Sequence, residues 1–314
     1  MRRLPIIVCV IAVAAVLAAL GAVLNQSEDP LPGAHPDDAV RIAAIGPAVA
    51  IILKDLGLED LIVGRHGYDM ALDPALPVCG DLNGIDYEAL LRTRPTHVVV
   101  EWDQREKPAR LKRLAESLQW DVRYERLATL DDVRTCAAQL ASLFADELSA
   151  RGRDPALLLE RMDAAWAKRD ANLAGAGTVL LLIGTNPPGA VGPGSFHHDV
   201  LERIGGIGAL RHARAYVTMD VEDVIRLAPD AIVLVFPRPR GAPTTDPTPE
   251  EIARLLGPLA SRDIPAVTNG RVALIDDPLC QTASTALIDF ADQLAQILGR
   301  WSIQDASNES AGTP

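Results

Sequence analysis

Glu88-Ala-Leu-Leu-Arg-Thr-Arg-Pro95 and Glu222-Asp-Val-Ile-Arg-Leu-Ala-Pro229 are two copies of one pattern, about 130 residues apart. The first runs into Thr96-His-Val-Val-Val100 and the second into Asp230-Ala-Ile-Val-Leu-Val235. In each copy a short amphipathic helix ends at a proline, and a run typical of a buried parallel strand follows. A pattern repeated once over so long a span predicts two similar lobes. Two lobes that face each other would form a cleft.

The composition limits the possible classes of protein. The chain has 314 residues, enough for two domains, and 48% of them are hydrophobic. Its formal net charge of −12 argues against a nucleic-acid partner, because phosphate contacts require clustered Lys and Arg. Only 4% of the residues are aromatic, so the position of each aromatic side chain is informative.

The first 38 residues differ in composition from the rest of the chain. Arg2 and Arg3 precede a nearly unbroken apolar run from Ile6 to Leu24, typical of a secretory signal or an uncleaved membrane anchor. The polar, proline-rich residues that follow, up to position 38, predict a flexible tether. Both alternatives place the body of the chain outside the cytoplasm, in the periplasm or on the outer face of the membrane.

Strand and helix signals alternate on both sides of a segment that lacks strand signals. This alternation predicts an α/β fold with an N-terminal lobe over residues 39–129 and a C-terminal lobe over residues 177–302. Each lobe is expected to be Rossmann-like, with a central and mainly parallel sheet. The polar residues 303–314 predict a disordered tail.

The segment between the lobes, residues 130–176, is predicted to be helical. Asp154 followed by Pro155 is a typical start of a helix. A continuous helix from Pro155 to Leu173 would be about 28 Å long at 1.5 Å per residue. We expect this helix to act as a rigid strut, so that the lobes keep a nearly fixed separation.

Nine short stretches match one known family in the same order, although no single stretch is specific. Together they resemble the helical-backbone class of periplasmic substrate-binding proteins of ATP-driven importers, which carries cobalamin, iron-siderophores and haem. The resemblance covers about residues 40–300. The stretches are Arg41–Pro47, Leu56–Gly57, Val63–Gly64, Leu76–Gly80, Glu88–Pro95, Val191–Phe196, Leu201–Gly206, Glu222–Pro229 and Pro265–Val272.

The resemblance implies a monomeric binding protein without catalysis, with a transported metal chelate as its ligand and no cofactor of its own. Its partners would be a membrane permease and an ATPase. Two departures stand out. The family often has Thr-Glu where this chain has Ala50 and Ile51, and Asp where it has Thr96. The first departure weakens inference about the ligand.

Glu88 and Glu222 open the two copies of the repeated pattern. In the resembling family, a glutamate on the outer tip of each lobe pairs with arginines of the permease, and these positions match. One carboxylate on each lobe would fix the orientation of the docked protein through two separate ion pairs. The alternative is a solvated carboxylate favoured by the helix dipole.

The loops after the strands are expected to line the cleft, because ligands bind at the carboxyl ends of parallel strands. Four aromatic residues, Tyr68, Trp102, Phe196 and Phe236, fall in such loops. Their flat rings would suit a ligand that contains rings. Phe196 and Phe236 could equally be core residues, whereas the family also has aromatic residues at the positions of Tyr68 and Trp102.

Histidines and arginines near the same loops are further candidates. His66, His197 and His198 could bind a metal or a haem iron, but ordinary structural histidines are the favoured interpretation, and no metal site is assigned. Arg238 and Arg240 could pair with carboxylates of a ligand, or could be solvated in a surface loop. His66, His197 and Arg238 are retained as predicted ligand-binding residues.

Other classes of function have less support. The sequence contains no nucleophile elbow, Walker loop or dinucleotide fingerprint, so we do not expect an enzyme. Cys79, Cys136 and Cys280 have spacings that fit no metal site, and we expect free thiols. Two alternatives to a chelate importer remain: a receptor for a bare metal ion, and a membrane-anchored interaction or sensory module that reuses the fold.

Overall fold

The computed structural model describes residues 39–103, 106–169, 171–212, 214–242 and 247–311, with side chains described up to Ile303. The predicted signal or anchor and the tether, residues 1–38, lie outside the described residues. Within the described residues the chain forms two α/β lobes, each with its own sheet, which confirms the predicted fold class.

The N-terminal lobe is built on a six-stranded sheet with the order β4-β3-β2-β1-β5-β6. All neighbours in this sheet are parallel except β3 and β4. Its strands are β1 (Ile42–Ile45), β2 (Ile62–His66), β3 (Val78–Asp81), β4 (Gly84–Ile85), β5 (His97–Glu101) and β6 (Asp121–Glu125). Its helices are α1 (Pro47–Asp55), α2 (Tyr87–Thr93) and α3 (Ala109–Leu118), with a 3₁₀ turn at Glu59–Leu61.

Three helices and a 3₁₀ turn join the lobes. They are α4 (Leu130–Leu143), α5 (Ala145–Ala150), α6 (Pro155–Ala165) and the turn at Leu173–Ala176. The predicted start of α6 is right, since the Asp154 side chain accepts a hydrogen bond from the first turn. The predicted end is wrong, because α6 stops at Ala165 after 11 residues and does not reach Leu173.

Contacts with the C-terminal lobe explain why α6 is short. The buried Trp166 donates its indole N–H to the carbonyl of Leu287 at 3.2 Å. The Arg169 guanidinium donates to the last helical carbonyl, that of Ala165, at 2.8 Å and to the Asp292 carboxylate at 2.6 Å. These anchors turn the chain toward the second sheet, so tertiary contacts override the helical composition of the segment.

The C-terminal lobe contains the second sheet, with the order β10-β8-β7-β11-β12 and β9 also paired with β7. The strand β8 is antiparallel to β7 and β10, and the other pairs are parallel. The strands are β7 (Thr178–Thr185), β8 (Pro188–Val191), β9 (Ile207–Gly208), β10 (Tyr216–Thr218), β11 (Ala231–Val235) and β12 (Val272–Ile275). The helices are α7 (Phe196–Arg203), α8 (Val221–Leu227), α9 (Pro249–Leu256), α10 (Pro265–Thr268) and α11 (Leu287–Ala311), with a 3₁₀ turn at Gly257–Ser261.

The last helix extends into the segment predicted to be a disordered tail. The backbone of α11 is helical through Ala311, whereas the polar composition predicted disorder from residue 303. The sequence from Gln304 to Ala311 contains neither glycine nor proline, so nothing in it stops a helix that already has many turns. Residues 312–314 lie outside the described part of the chain.

The two copies of the repeated pattern have the same local structure. Each forms a helix of seven residues, α2 or α8, whose preceding aspartate, Asp86 or Asp220, caps the first turn with its side chain. Each helix ends at a residue in the left-handed conformation, Arg94 at φ 45° or Ala228 at φ 48°. A proline follows and stops the helix, and the chain then enters the central strands β5 and β11.

The residue after each proline holds the start of the neighbouring strand. The Thr96 hydroxyl accepts a hydrogen bond from the backbone N–H of Arg41, just before β1, at 2.9 Å. The Asp230 carboxylate accepts from both the backbone N–H and the hydroxyl of Thr178, the first residue of β7, each at 2.8 Å. The departure from the family pattern at Thr96 therefore keeps the bond to the neighbouring strand.

One hydrophobic core runs through both lobes. It combines side chains of α1, α4, α6 and α11 with the inner face of the second sheet, and includes Ile52, Leu140, Met162, Val233 and Leu298, all almost fully buried. Separate clusters cover the other faces of the two sheets. Because protein interiors are close-packed, this shared core resists movement of one lobe against the other.

Replacement of Asp230 tests the bond that starts β7. Asp230→Ala leaves the Thr178 N–H without its acceptor and should lower the free energy of unfolding by about 2 kcal/mol. Asp230→Thr should cost clearly less, because Thr96 makes the same kind of bond in the other lobe. Urea unfolding at pH 7, followed by circular dichroism, measures both variants, and equal losses would contradict the proposed equivalence.

Candidate functional site

A side-chain hydrogen bond joins a loop of the C-terminal lobe to a loop of the N-terminal lobe. The loop after β11 carries Arg240, whose guanidinium donates to the carbonyl of Leu72, in the loop after β2, at 3.2 Å. The Leu72 side chain is buried in the core that the lobes share. The bond therefore joins the loops that follow one central strand of each lobe.

Tyr68 lies in the loop after β2, and His66 is the last residue of that strand. The Tyr68 side chain is 61% exposed, which is unusual for a large aromatic residue. Its backbone N–H donates to the Nδ1 atom of the buried His66 at 3.2 Å, and the two ring centroids are 5.9 Å apart. Burial lowers the pKa of His66. His66 therefore supports the loop that carries Tyr68.

Asp69 fixes the same loop, although the sequence did not single it out. It is buried, and its Oδ1 atom accepts hydrogen bonds from the backbone N–H groups of Ala71 at 3.0 Å and Leu72 at 2.7 Å. The carbonyl of Ala71 also accepts from Lys54 at 2.8 Å. An aspartate two or three residues before the amides that it caps is a common turn signal and could have identified this role.

Trp102 directly follows β5 in the N-terminal lobe and is partly exposed. Its backbone N–H donates to the carbonyl of Glu125 at 2.7 Å, and its indole N–H donates to the carbonyl of Glu106 at 2.9 Å. Both bonds fix the orientation of the ring. With Tyr68 it gives the N-terminal lobe two aromatic side chains near the ends of β2 and β5.

Glu101, at the last position of β5, is a buried carboxyl residue absent from the predicted set. Burial raises the pKa of its carboxyl group, and the backbone N–H of Ala48 at the start of α1 donates to it. A Cβ atom at Gly46 would lie 2.4 Å from the Cβ of Glu101, so only glycine fits there. In the sequence, the position of this glutamate at the end of a predicted strand could have identified it as a candidate.

Phe236, Arg238 and Arg240 come from the C-terminal lobe. Phe236 is half-buried and packs on the outer hydrophobic cluster of the second sheet. Arg238 is paired with Asp276 through its guanidinium at 2.9 Å. Arg240 is exposed and makes the hydrogen bond to Leu72 of the N-terminal lobe. Arg240 is thus the arginine of this loop that reaches the facing lobe.

Phe196 and His197, also predicted to bind the ligand, lie in the interior of the C-terminal lobe. Phe196 belongs to the shared core. His197 is 1% exposed, bonds the carbonyl of Cys280 through Nε2 at 2.7 Å, and packs against the rings of Phe196 and Phe290. Both side chains are almost fully buried, and His197 packs against Phe290 of α11.

Titratable groups do not gather into a metal centre within the described ranges. No group of three or more His, Cys, Asp or Glu side chains there is placed to hold a metal ion. Cys79, Cys136 and Cys280 are buried and unpaired with one another. His198 is buried, with Nε2 3.8 Å from the Glu202 carboxylate. Cys136 lies in the core that the lobes share, and His198 lines an open cavity between α4 and α7.

Two further cavities in the described chain lie away from the predicted residues. One, of about 330 Å³, is lined by residues of β6 and α4. The other, of about 830 Å³, is open and lies between the start of α4 and the exposed side of α7. None of the predicted ligand-binding residues lines either cavity.

Glu88 and Glu222 lie at equivalent, exposed positions on the two lobes. Each is the second residue of its short helix, α2 or α8, directly after the capped start. Both helices lead into central strands of their sheets, β5 and β11. The structure thus presents one carboxylate on each lobe, in the same local setting.

The chain belongs to the periplasmic binding protein family, whose model matches residues 42–279. The match confirms the resemblance inferred from the sequence. No curated protein sequence is significantly similar to the chain. Within the described residues, no helix is both long enough and apolar enough to cross a membrane.

Solved structures with the same fold share little sequence with this chain. The periplasmic haem-binding protein HutB of Vibrio cholerae has a TM-score of 0.60 and 21% identity, over 83% of this chain and 98% of its own. The vitamin B12-binding protein BtuF of Vibrio cholerae gives 0.60 and 17%, over 83% and 97%. An ABC transporter substrate-binding protein from Listeria monocytogenes gives 0.57 and 20%, over 82% and 98%.

The buried His197 predicts a loss of stability in acid. Burial lowers its pKa from 6.5 to about 4 in the folded protein. Below pH 6.5 the unfolded chain therefore binds a proton that the folded chain does not, and stability falls until about pH 4. At pH 5 this contribution is roughly 2 kcal/mol.

His197→Phe removes this titration and keeps a ring in the same space. Urea unfolding at pH 7 and pH 5 should show that the wild-type chain loses about 2 kcal/mol more than the variant between these pH values. The contributions of the other titrating groups are the same in both proteins and cancel in the difference between them. An equal loss in both would show that His197 is not held neutral in the folded state.

Proposed function

We propose that this chain is the extracytoplasmic substrate-binding component of an ABC importer. It would capture a metal chelate, such as cobalamin, an iron-siderophore or haem, between its lobes and deliver it to a permease. The observation that carries the proposal is the contact between the lobes at Arg240 and Leu72, with the exposed Tyr68 and the partly exposed Trp102 on the N-terminal lobe. The binding cleft is proposed at this contact. No bond is made or broken in this role, and the chelate is cargo rather than a cofactor.

The chemistry of the two walls differs. Tyr68 and Trp102 give the N-terminal wall flat surfaces suited to a ring or to the apolar side of a chelate. Arg240 gives the opposite wall a cation, which uses one donor for Leu72 and has further donors for carboxylates. A chelate with one apolar side and acidic groups fits this arrangement. HutB and BtuF, which share the fold, are named for binding haem and vitamin B12.

The shared core favours binding with little movement of the lobes. Side chains from α1, α4, α6 and α11 pack into one cluster, so large closure would require this cluster to separate. The ligand would therefore enter a cleft that is largely preformed. We expect the protein to work as a monomer, because its binding surfaces come from the two lobes of one chain.

Glu88 and Glu222 would recognise the permease. Each carboxylate is exposed, and each stands on a helix that is fixed by a side-chain cap at its start and a proline after its end. Two carboxylates held rigidly at equivalent points would pair with two cationic groups on a membrane partner. Paired charges of this kind mainly raise the rate and the specificity of docking.

Ligand-dependent stability tests the binding role. The body of the chain after Pro36 is unfolded in urea with haemin, cyanocobalamin or a ferric siderophore present. A true ligand at a hundredfold over its dissociation constant should add about 2.7 kcal/mol. Tyr68→Ala and Trp102→Ala should reduce this gain, whereas Leu157→Ala, at an exposed position on α6, should not. No gain with any chelate would count against the proposal.

Charge reversal separates docking from binding. Glu88→Arg combined with Glu222→Arg should abolish uptake of the chelate by the producing cells and leave its affinity for the purified chain unchanged. Lost affinity would place the glutamates in the cleft instead. Normal uptake by the double variant would remove their docking role. High-affinity binding without any permease-dependent uptake would favour the membrane-anchored sensory alternative.

A further inference from the structure

The ring of Trp102 is held by a carbonyl of its own loop. The backbone N–H of Trp102 donates to the carbonyl of Glu125, at the end of β6, at 2.7 Å, and this bond fixes the backbone. The indole N–H donates to the carbonyl of Glu106 at 2.9 Å, and this bond fixes the direction of the ring. The orientation of Trp102 therefore depends on what holds Glu106 in place.

Lys107, the residue after Glu106, lies against the same strand. Its Nζ atom is 4.5 Å from the centroid of the Tyr124 ring on β6. Tyr124 directly precedes Glu125, so β6 holds the loop at both of its ends: Trp102 through the backbone of Glu125, and Lys107 through the ring of Tyr124. The Glu106 carbonyl lies between these two fixed points.

The charges around the start of α3 are opposite to those that favour a helix. Lys107 precedes the helix, Arg110 and Lys112 lie in its first turn, and that turn contains no acidic residue and has no side-chain cap. The helix dipole disfavours cations at this end. Lys112 pairs with Glu116 at 4.0 Å, and the Cζ atom of Arg110 lies 4.3 Å from the centroid of the Tyr87 ring. The positions of Lys107 and Arg110 are therefore explained by the rings they contact and not by the helix.

Tyr87 and Tyr124 form a common support for these two cations. Both rings, and that of Trp102, pack against the hydrophobic cluster on the outer face of the N-terminal sheet. Burial, together with the neighbouring Tyr87 phenol, raises the pKa of Tyr124. A cation over the face of a tyrosine is attracted by the negative charge of the ring face. The two contacts therefore fasten the start of α3, and with it Glu106, to the packed face of the sheet.

We propose that Lys107 is a positioning residue of the ligand site, and that its contact with Tyr124 holds the ring of Trp102 in the orientation that the ligand meets. The inference rests on the proposed function, in which Trp102 contacts the chelate. Lys107 acts through the Glu106 carbonyl and the indole N–H, and not by touching the ligand. A ring that is already fixed loses little conformational freedom on binding, and such preorganisation raises affinity.

Fluorine NMR of the full chain labelled with 5-fluorotryptophan tests the positioning without any ligand. The chain has four tryptophans, and Trp102→Phe identifies the resonance of Trp102. Lys107→Met keeps an unbranched side chain and removes the cation, so it should shift or broaden this resonance alone. Lys107→Arg should leave the resonance near its wild-type position, because a guanidinium also binds the face of a ring. Lys112→Met, at an exposed lysine of α3, is the matched control and should have no effect.

Two results of this measurement would contradict the inference. An unmoved Trp102 resonance in Lys107→Met would show that the contact with Tyr124 does not hold the ring. Equal displacement of all four resonances would report a general change of the fold, and would also overturn a specific effect on Trp102.

Affinity for haemin, cyanocobalamin and ferrioxamine B gives the second measurement. The dissociation constant of the chelate that binds the wild-type chain should rise roughly three- to tenfold in Lys107→Met. The same substitution should have no effect in the Trp102→Phe chain, which lacks the indole N–H. An equal rise in both chains would mean that Lys107 touches the ligand, and an unchanged dissociation constant would mean that it has no role; either would overturn the inference. Failure of the wild-type chain to bind any of the three, with the Trp102 resonance still displaced by Lys107→Met, would overturn the proposed function and not the positioning of Trp102.

Discussion

The shared hydrophobic core is the constraint on which the rest of the structure depends. Leu72 enters it from the loop after β2, and Trp166 enters it from the end of α6. Because both lobes contribute side chains to one close-packed cluster, their separation is set by packing and not by the stiffness of a connecting helix. The bond from Arg240 to Leu72 follows from that fixed arrangement.

Some elements are repeated in the two lobes, and others differ between them. The helices α2 and α8, their caps and the strands after them repeat closely, and they carry the outward-facing glutamates. The strands next to the sheet centres differ, since β2 is parallel to β1 whereas β8 is antiparallel to β7. The loop after β2 carries Tyr68, and the loop after β11 carries Arg240. The repeated parts therefore give the two lobes similar surfaces, and the unlike parts give them different ones.

The candidate site was only partly predictable, for physical reasons that differ between residues. Tyr68 and Trp102 follow β2 and β5, so strand periodicity was enough to place them near the carboxyl ends of these strands. Phe196 also follows a strand in sequence, but β8 runs antiparallel, and the helix that begins at Phe196 packs into the core. Glu101 was missed because its role depends on the backbone amide of Ala48, which folding brings to it. Asp69 caps amides two and three residues later, so a local turn signal could have identified it.

The sequence by itself determined the two lobes, the register of the repeated helices and strands, and the family. Those features depend on local signals: apolar periodicity, an aspartate cap before each helix and a proline after it. Only the tertiary structure decided the length of α6 and which loop residues face the opposite lobe. The contacts that end α6 come from Leu287 and Asp292, more than a hundred residues later in the chain. Interactions over such separations leave no periodic signal in the sequence, because they depend on how finished elements pack.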